Sequence, residues 1–363
     1  MKEFDKVLNS LDKTVFSLRS LYDTYGFKQY RMSKFEEYEL YIKNKDFLAT
    51  DSVITFTDSD GKLMALKPDV TLSIIKNGKD GQGVEKVYYN ENVYRVSKGT
   101  HSFKEFMQVG LECVGDIDDY EISEVVLLAL KSLQTISDDY ILDISHLAFV
   151  KGVLKFAGLK GIKVDKAMEF LAQKNAHGIT NLCNEENLSE DKTNLVKMLV
   201  STYGKASEVI NKLKGLDLDC DTINQLVELE NLVVCLDGLG VGDKVRIDFS
   251  VINDMNYYNG IVFNGFVSGI PQSIVSGGQY DNLMAKMNRR SRAIGFAVYL
   301  DEIESILSNE KDCDVDVLVE YGNSKDLALI NKTVKEITDN GQSVFAVKSA
   351  PQNLKYKKLI KIN

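Results

Sequence analysis

The chain has 363 residues, 44% of them hydrophobic and 27% charged, with a formal net charge of −9. This is enough for one large core plus one or two smaller units, and the acidic balance gives no electrostatic footprint for nucleic acid. Five cysteines without a C-x-x-C pair, and three histidines (His101, His146, His177), argue against a disulfide framework or a structural zinc site. The opening MKEFDKVLNS is charged, and no run of 18 apolar residues follows. A cytoplasmic protein with no signal peptide, no membrane span, no metal and no cofactor is expected.

In chain order, residues 2–25 place Phe4, Val7, Leu8, Leu11, Val15, Leu18, Tyr22 and Tyr25 at a 3.6-residue period, with Gly26 as the stop. SVITFTDSDGKLMALKPDVT gives two strand-like runs around a Ser-Asp-Gly turn, and EKVYYNENVYRV and FKEFMQVGLECVG give two more. DDYEISEVVLLALKSL is a helix with an aspartate N-cap. Residues 147–235 form a mainly helical insertion. Strands return in KVRIDFSVI, NYYNGIVFNGFV and QSIVSGG, and RAIGFAVYLDEIESIL runs from a strand or tight turn into a helix. The tail repeats strand, helix, strand in DVDVLVEYG, KDLALINKTVKEITDN and SVFAVKS, while the final YKKLIKIN is too short to assign. Strands cluster rather than alternate with helices, so the fold class is α+β: an antiparallel sheet flanked by helices. The expected domains are a core over 1–310 and a truncated α/β segment over 311–363.

Several polar residues interrupt apolar strands. Gln108, Gly110 and Glu112 share one strand face, and Met107, Val109 and Leu111 the other. Periodicity alone favours solvent exposure of the polar face, although a mid-strand glycine also permits close approach of a ligand. In LKPDVT, either Asp69 or Thr71 caps a helix starting near Leu72, or Asp69 is a carboxylate that pairs with an ammonium group. SGGQYDNLM reads as a turn leading to a helix N-cap. Tyr257 and Tyr258 read equally well as core or as pocket.

Taken together, LKPDVT, VYRV…FKEFMQVGLECVG, NYYNGIVFNGF, SGGQYDNLM and IGFAVYLDEI resemble the histidyl-tRNA synthetase catalytic core, a class II synthetase fold, over about residues 5–307. The departures from that family are informative. The synthetase Arg-Gly-Leu-Asp-Tyr-Tyr is here Asn253-Asp254-Met255-Asn256-Tyr257-Tyr258. Motif 2 keeps Arg95 but has Ser97 for glutamate. Motif 3 has Glu302 for arginine, Gln279 replaces the arginine of Gly-Gly-Arg-Tyr-Asp, and Ser33 stands where the motif 1 proline falls. Adenylate formation needs arginines to neutralise phosphates through bidentate bonds that asparagine or glutamate cannot make. Removing one donor aimed at developing charge costs about 2.7–4 kcal/mol.

The pattern therefore resembles the regulatory-subunit family of ATP phosphoribosyltransferase. That resemblance implies a non-catalytic protein that activates a short-form catalytic subunit in the first step of histidine biosynthesis and inhibits it on binding histidine. It also implies a homodimer within a hetero-octamer, with no tRNA bound. Asp69, Thr71 and Gln108 would hold the α-ammonium of L-histidine. Glu112 and Tyr258, with Tyr257 beside them, would read the imidazole, and Tyr280 would close the site. Arg95 would remain as a phosphate or nucleotide contact. An active histidyl-tRNA synthetase, a free-standing histidine-binding paralogue and a plain scaffold stay open as alternatives.

Overall fold

The computed structural model describes residues 8–45, 48, 53–78, 81, 83–96, 102–252, 257–304, 307 and 313–362. Two compact units divide the chain, residues 1–307 and 308–363. The first begins with α1 (Ser10–Thr24) and β1 (Lys28–Gln29). β2 (Phe35–Glu37), β3 (Thr55–Thr57) and β4 (Leu63–Leu66) make a small antiparallel sheet in the order β2-β4-β3, with α2 (Tyr38–Lys43) after its first strand. Then come α3 (Thr71–Asn77), β5 (Glu85–Val96), β6 (Phe103–Gly115), α4 (Asp119–Ile136) and β7 (Tyr140–His146).

The expected helical insertion is filled by α5 (Leu147–Ala157), α6 (Ile162–Ala172), α7 (Ala176–Glu185), α8 (Glu190–Ser201), α9 (Ala206–Leu213) and α10 (Cys220–Gly238), with the short β8 (Tyr203–Lys205) before α9. β9 (Val245–Asp248), β10 (Ile261–Val267), β11 (Val275–Gln279), α11 (Asp281–Lys286), β12 (Arg292–Tyr299) and α12 (Leu300–Ile303) complete the unit.

Nine strands form the main sheet, in the order β1-β5-β6-β12-β11-β10-β7-β9-β8. Its centre is antiparallel, as expected. Parallel pairs β1–β5 and β7–β9 near the edges make the sheet mixed. One face packs on helices. Val15, Leu18 and Tyr22 of α1 and Val125, Val126, Leu128 and Ala129 of α4 meet Val109 and Leu111 of β6 in one apolar core. Phe4 and Val7, also expected on the α1 stripe, lie outside the described residues. The Tyr22 hydroxyl and the Ser132 hydroxyl, 2.9 Å apart, satisfy each other inside that core. Helix starts follow the sequence signals: the Asp118 side chain accepts from the Tyr120 N–H and forms a capping box with Glu121.

One expectation is corrected here. Gly277 and Gly278 do not make a turn; they lie inside β11, paired with β10 and β12. The glycines are there for close approach. A Cβ at Gly277 would sit 2.4 Å from the Gly295 carbonyl oxygen, and one at Gly278 2.6 Å from that of Ile261.

The second unit contains β13 (Val315–Glu320), α13 (Leu327–Asp339), β14 (Val344–Val347) and β15 (Tyr356–Lys361), in a parallel sheet ordered β14-β13-β15. The closing basic stretch is thus an edge strand. Its small core is Val317, Val319, Ile330, Ile337 and Ile362.

Candidate functional site

The polar face of β6 is the floor of a cavity of about 280 Å³. Gln108 and Glu112 are only 4% and 2% exposed, so the solvent-facing reading of this strand fails. Period-2 alternation says which residues share a face, not what covers it, and here other walls close over them. Glycines set the spacing. Gly110 is paired with Tyr89 of β5, and a Cβ there would lie 2.4 Å from the Tyr89 hydroxyl and from the Phe296 carbonyl oxygen. Gly295 of β12 is paired with Glu112, and its Cβ would lie 1.7 Å from Glu112 Oε2.

Both Glu112 oxygens are engaged. The Thr71 hydroxyl donates to Oε1 at 2.6 Å and the Tyr280 hydroxyl donates to Oε2 at 2.5 Å. Burial nevertheless pushes the Glu112 carboxyl up to about 8, against the opposing pull of those two bonds, and Asp69 adds repulsion. Asp69 fulfils both of its readings. Its Oδ1 accepts the Leu72 N–H at 2.9 Å at the start of α3, and its carboxylate lines the cavity. Burial raises its pKa too, opposed by the Leu72 N–H and by the nearby Arg95 guanidinium. Arg95 is itself fixed, since its Nε donates to the Pro68 carbonyl at 3.0 Å. The rings of Tyr257 and Tyr258 lie 4.6 Å apart, and Tyr257 and Tyr280 5.5 Å, forming an aromatic corner. Burial holds the hydroxyls of Tyr89, Tyr257, Tyr280 and Tyr299 protonated well above their ordinary range, so all four are hydrogen-bond donors at neutral pH.

The structure brings all eight sequence-selected residues to this one cavity: Asp69, Thr71, Arg95, Gln108, Glu112, Tyr257, Tyr258 and Tyr280. Sequence reasoning missed Tyr89, Ser276 and Tyr299. The signal for Tyr299 was present in the alternation Gly295, Ala297, Tyr299, which carries small residues towards one face of β12. Of the replaced synthetase positions, Glu302 lies in α12 and is not on the cavity wall. Gln279 is 2% exposed, and its Oε1 accepts the Ile261 N–H at 2.6 Å, joining β11 to β10. The Ser33 hydroxyl accepts the Phe35 N–H at 3.1 Å as β2 begins. Ser97 and Asn253–Asn256 lie outside the described residues. Among the described residues no group of three or more His, Cys, Asp or Glu is placed to hold a metal.

The sequence profile of histidyl-tRNA synthetase matches residues 7–303. The chain belongs to the histidyl-tRNA synthetase family. Within that family it is similar to proteins named ATP phosphoribosyltransferase regulatory subunit. The one from Clostridium kluyveri is 27% identical over 337 residues, covering 90% of this chain and 84% of that protein. The one from Thermoanaerobacter sp. is 28% identical over 314 residues, covering 84% and 81%. Among solved structures, an ATP phosphoribosyltransferase regulatory subunit/histidyl-tRNA synthetase from Bacillus halodurans superposes with a TM-score of 0.81 at 23% identity, covering 97% of this chain and 94% of that one. The ATP phosphoribosyl transferase complex from Thermotoga maritima contains a chain matching with a TM-score of 0.62 at 19% identity, covering 79% and 96%. At these identities the solved structures establish the fold, which is that of the class II synthetases.

Proposed function

We propose that this chain is the non-catalytic regulatory subunit of an ATP phosphoribosyltransferase, and that its cavity takes L-histidine as feedback effector. The observation that carries the reading is the assembly of all eight selected residues around one small, desolvated cavity, in a chain whose full-length relatives bear the regulatory-subunit name. The lining suits a compact ligand with a cationic end and a second, donor-and-acceptor end. Asp69, Thr71 and Gln108 take the ammonium, Glu112 and Tyr258 take the imidazole nitrogens, and Tyr257 and Tyr280 close the site. A pocket that pairs both ring nitrogens rejects analogues lacking them, because its own polar groups would be left unpaired. Arg95 is the one arginine on the wall among the described residues. A single guanidinium does not replace the set that adenylate formation uses.

The catalytic partner is a short-form phosphoribosyltransferase, with this subunit as a homodimer within a cytoplasmic hetero-octamer that binds no tRNA. The coupling is a difference in histidine affinity between active and inhibited complexes. Residues 311–363 form the truncated C-terminal segment of the 1–310 core. The test is calorimetric titration with L-histidine, with Gln108→Ala and Tyr258→Phe as controls and ATP as second ligand. Saturable binding, weakened by both substitutions and indifferent to ATP, is expected. Absence of binding by the full chain sinks the effector reading, and histidine-dependent pyrophosphate exchange would restore the synthetase.

A further inference from the structure

The cavity has an unusual charge inventory. Glu112 rises from β6, Gly295 of β12 lies directly against it, and Thr71 and Tyr280 occupy its two oxygens from α3 and from the start of α11. The other ionisable groups on the cavity wall are Asp69 ahead of α3, Tyr89 and Arg95 on β5, Tyr257 and Tyr258 beside each other, and Tyr299 on β12. Arg95 acts on Asp69. The charged group acting on Glu112 is Asp69, a second carboxylate. Two carboxylates in one desolvated space with one guanidinium between them leave one negative charge uncompensated, and such a site neutralises by holding a proton.

We propose that the ligand-free cavity carries one proton on Glu112, and that a ligand bearing an ammonium group displaces it, so the site selects cationic amines by exchanging one positive charge for another. The inference rests on the histidine reading and deepens it. The step is balanced: the Glu112 carboxyl gives its proton to solvent, the ligand keeps its ammonium hydrogens, and the net charge of the cavity is unchanged. The direction of the Glu112 shift, up to about 8 by burial, agrees with a cavity that is mostly protonated at pH 7. Affinity for an amine of fixed charge then rises roughly tenfold from pH 6.5 to 8 and levels off above that. An analogue with hydroxyl in place of the ammonium, such as imidazole-lactate, binds without proton release.

The experiment is calorimetric titration of the full chain with L-histidine at pH 7.0 and 8.5, in phosphate and in Tris, whose ionisation enthalpies differ. Close to one proton released per histidine at pH 7.0, falling well below half at pH 8.5, is expected. The free imidazole itself supplies only about a quarter of a proton at pH 7.0, taking an ordinary pKa near 6.5. In Glu112→Gln the release should drop to that quarter. Imidazole-lactate, titrated against the unaltered chain, gives the same answer should the variant fail to fold. Binding whose heat does not depend on the buffer, or undiminished release from Glu112→Gln, overturns proton exchange and leaves histidine recognition standing. No binding at all removes the histidine reading itself.

Discussion

Two acidic pairs lie on the same face of the nine-stranded sheet, and they have opposite surroundings. One cross-strand row runs Gly110, Ala297, Ser276, Asn264, Asp143, Arg246, from the cavity floor towards the helical insertion. At its cavity end are Asp69 and Glu112. At its other end are Asp143 and Asp248. Asp248 is completed by the chain itself: the Ser250 N–H and hydroxyl donate to Oδ1 at 2.8 and 2.6 Å, and Lys174 Nζ donates to Oδ2 at 2.7 Å. Asp143 is sealed beside it, and its Oδ1, like Ser145 Oγ and Asn264 Oδ1, makes no hydrogen bond. Burial and the neighbouring Asp248 push the Asp143 carboxyl up to about 6, opposed by Lys174 and Arg246. Where a lysine from the insertion reaches the pair, it is part of the architecture. Where hydroxyls and open space meet it instead, the missing cation is left for a ligand to bring.

The sharpest way to break this contrast is Gly295→Ala. The added methyl would lie 1.7 Å from Glu112 Oε2 and 2.6 Å from the Leu111 carbonyl oxygen. Overpacking of this kind costs about 1–3 kcal/mol of stability. Histidine affinity should fall more than a hundredfold, and calorimetry showing near-unaltered binding would mean Glu112 is not wedged as described. Tyr280→Phe removes the hydroxyl that donates to Oε2. About tenfold weaker binding is expected from a lost hydrogen bond to a charged group, near 1.5 kcal/mol.

Lys174→Met strips the cation from Asp248. Because Lys174 is half exposed, the cost is about 1 kcal/mol, read by urea denaturation. Histidine affinity should not move, which separates the two pairs. The smallest effect is a gain. Asp143 binds its proton more tightly folded than unfolded, so its contribution to stability is full below about pH 4 and is lost as pH rises through about 6. Asp143→Asn should therefore stabilise the protein by about 1 kcal/mol at pH 8 and by nothing measurable at pH 4. Equal effects at both pH values would show that Asp143 is ordinarily ionised.

How far these regions were legible in the sequence differs for a physical reason. Long strands that alternate, such as β5 and β6, declare their limits, because period 2 accumulates over a dozen residues. The two-residue β1 and three-residue β8 have no period to show, and β15 hides its strand in a basic edge where only Ile360 is partly covered. At the site, Gln108, Gly110 and Glu112 were legible as one face, but burial is decided by β5, β12 and α3, which are distant in sequence. Tyr89 and Tyr299 were missed because a tyrosine in a strand reads as core until its hydroxyl is seen facing a cavity. Asp143 and Asp248 gave no signal, since their meaning depends on Lys174, 31 residues after one and 74 before the other.

The β5–β6 ladder, twelve consecutive pairs from Glu85 to Val96 against Phe103 to Val114, also decides how news of an occupied cavity travels. A strand held on such a ladder cannot shift by one residue without turning Gln108 and Glu112 into the apolar core and Val109 and Leu111 out of it. The strand-borne half of the lining is therefore a fixed gauge against which a ligand is measured. Asp69, Thr71, Tyr257, Tyr258 and Tyr280 sit at element ends or between elements, where small rotations are cheap. Any message to a catalytic partner has to be written in those residues, with the sheet serving as the page that does not move.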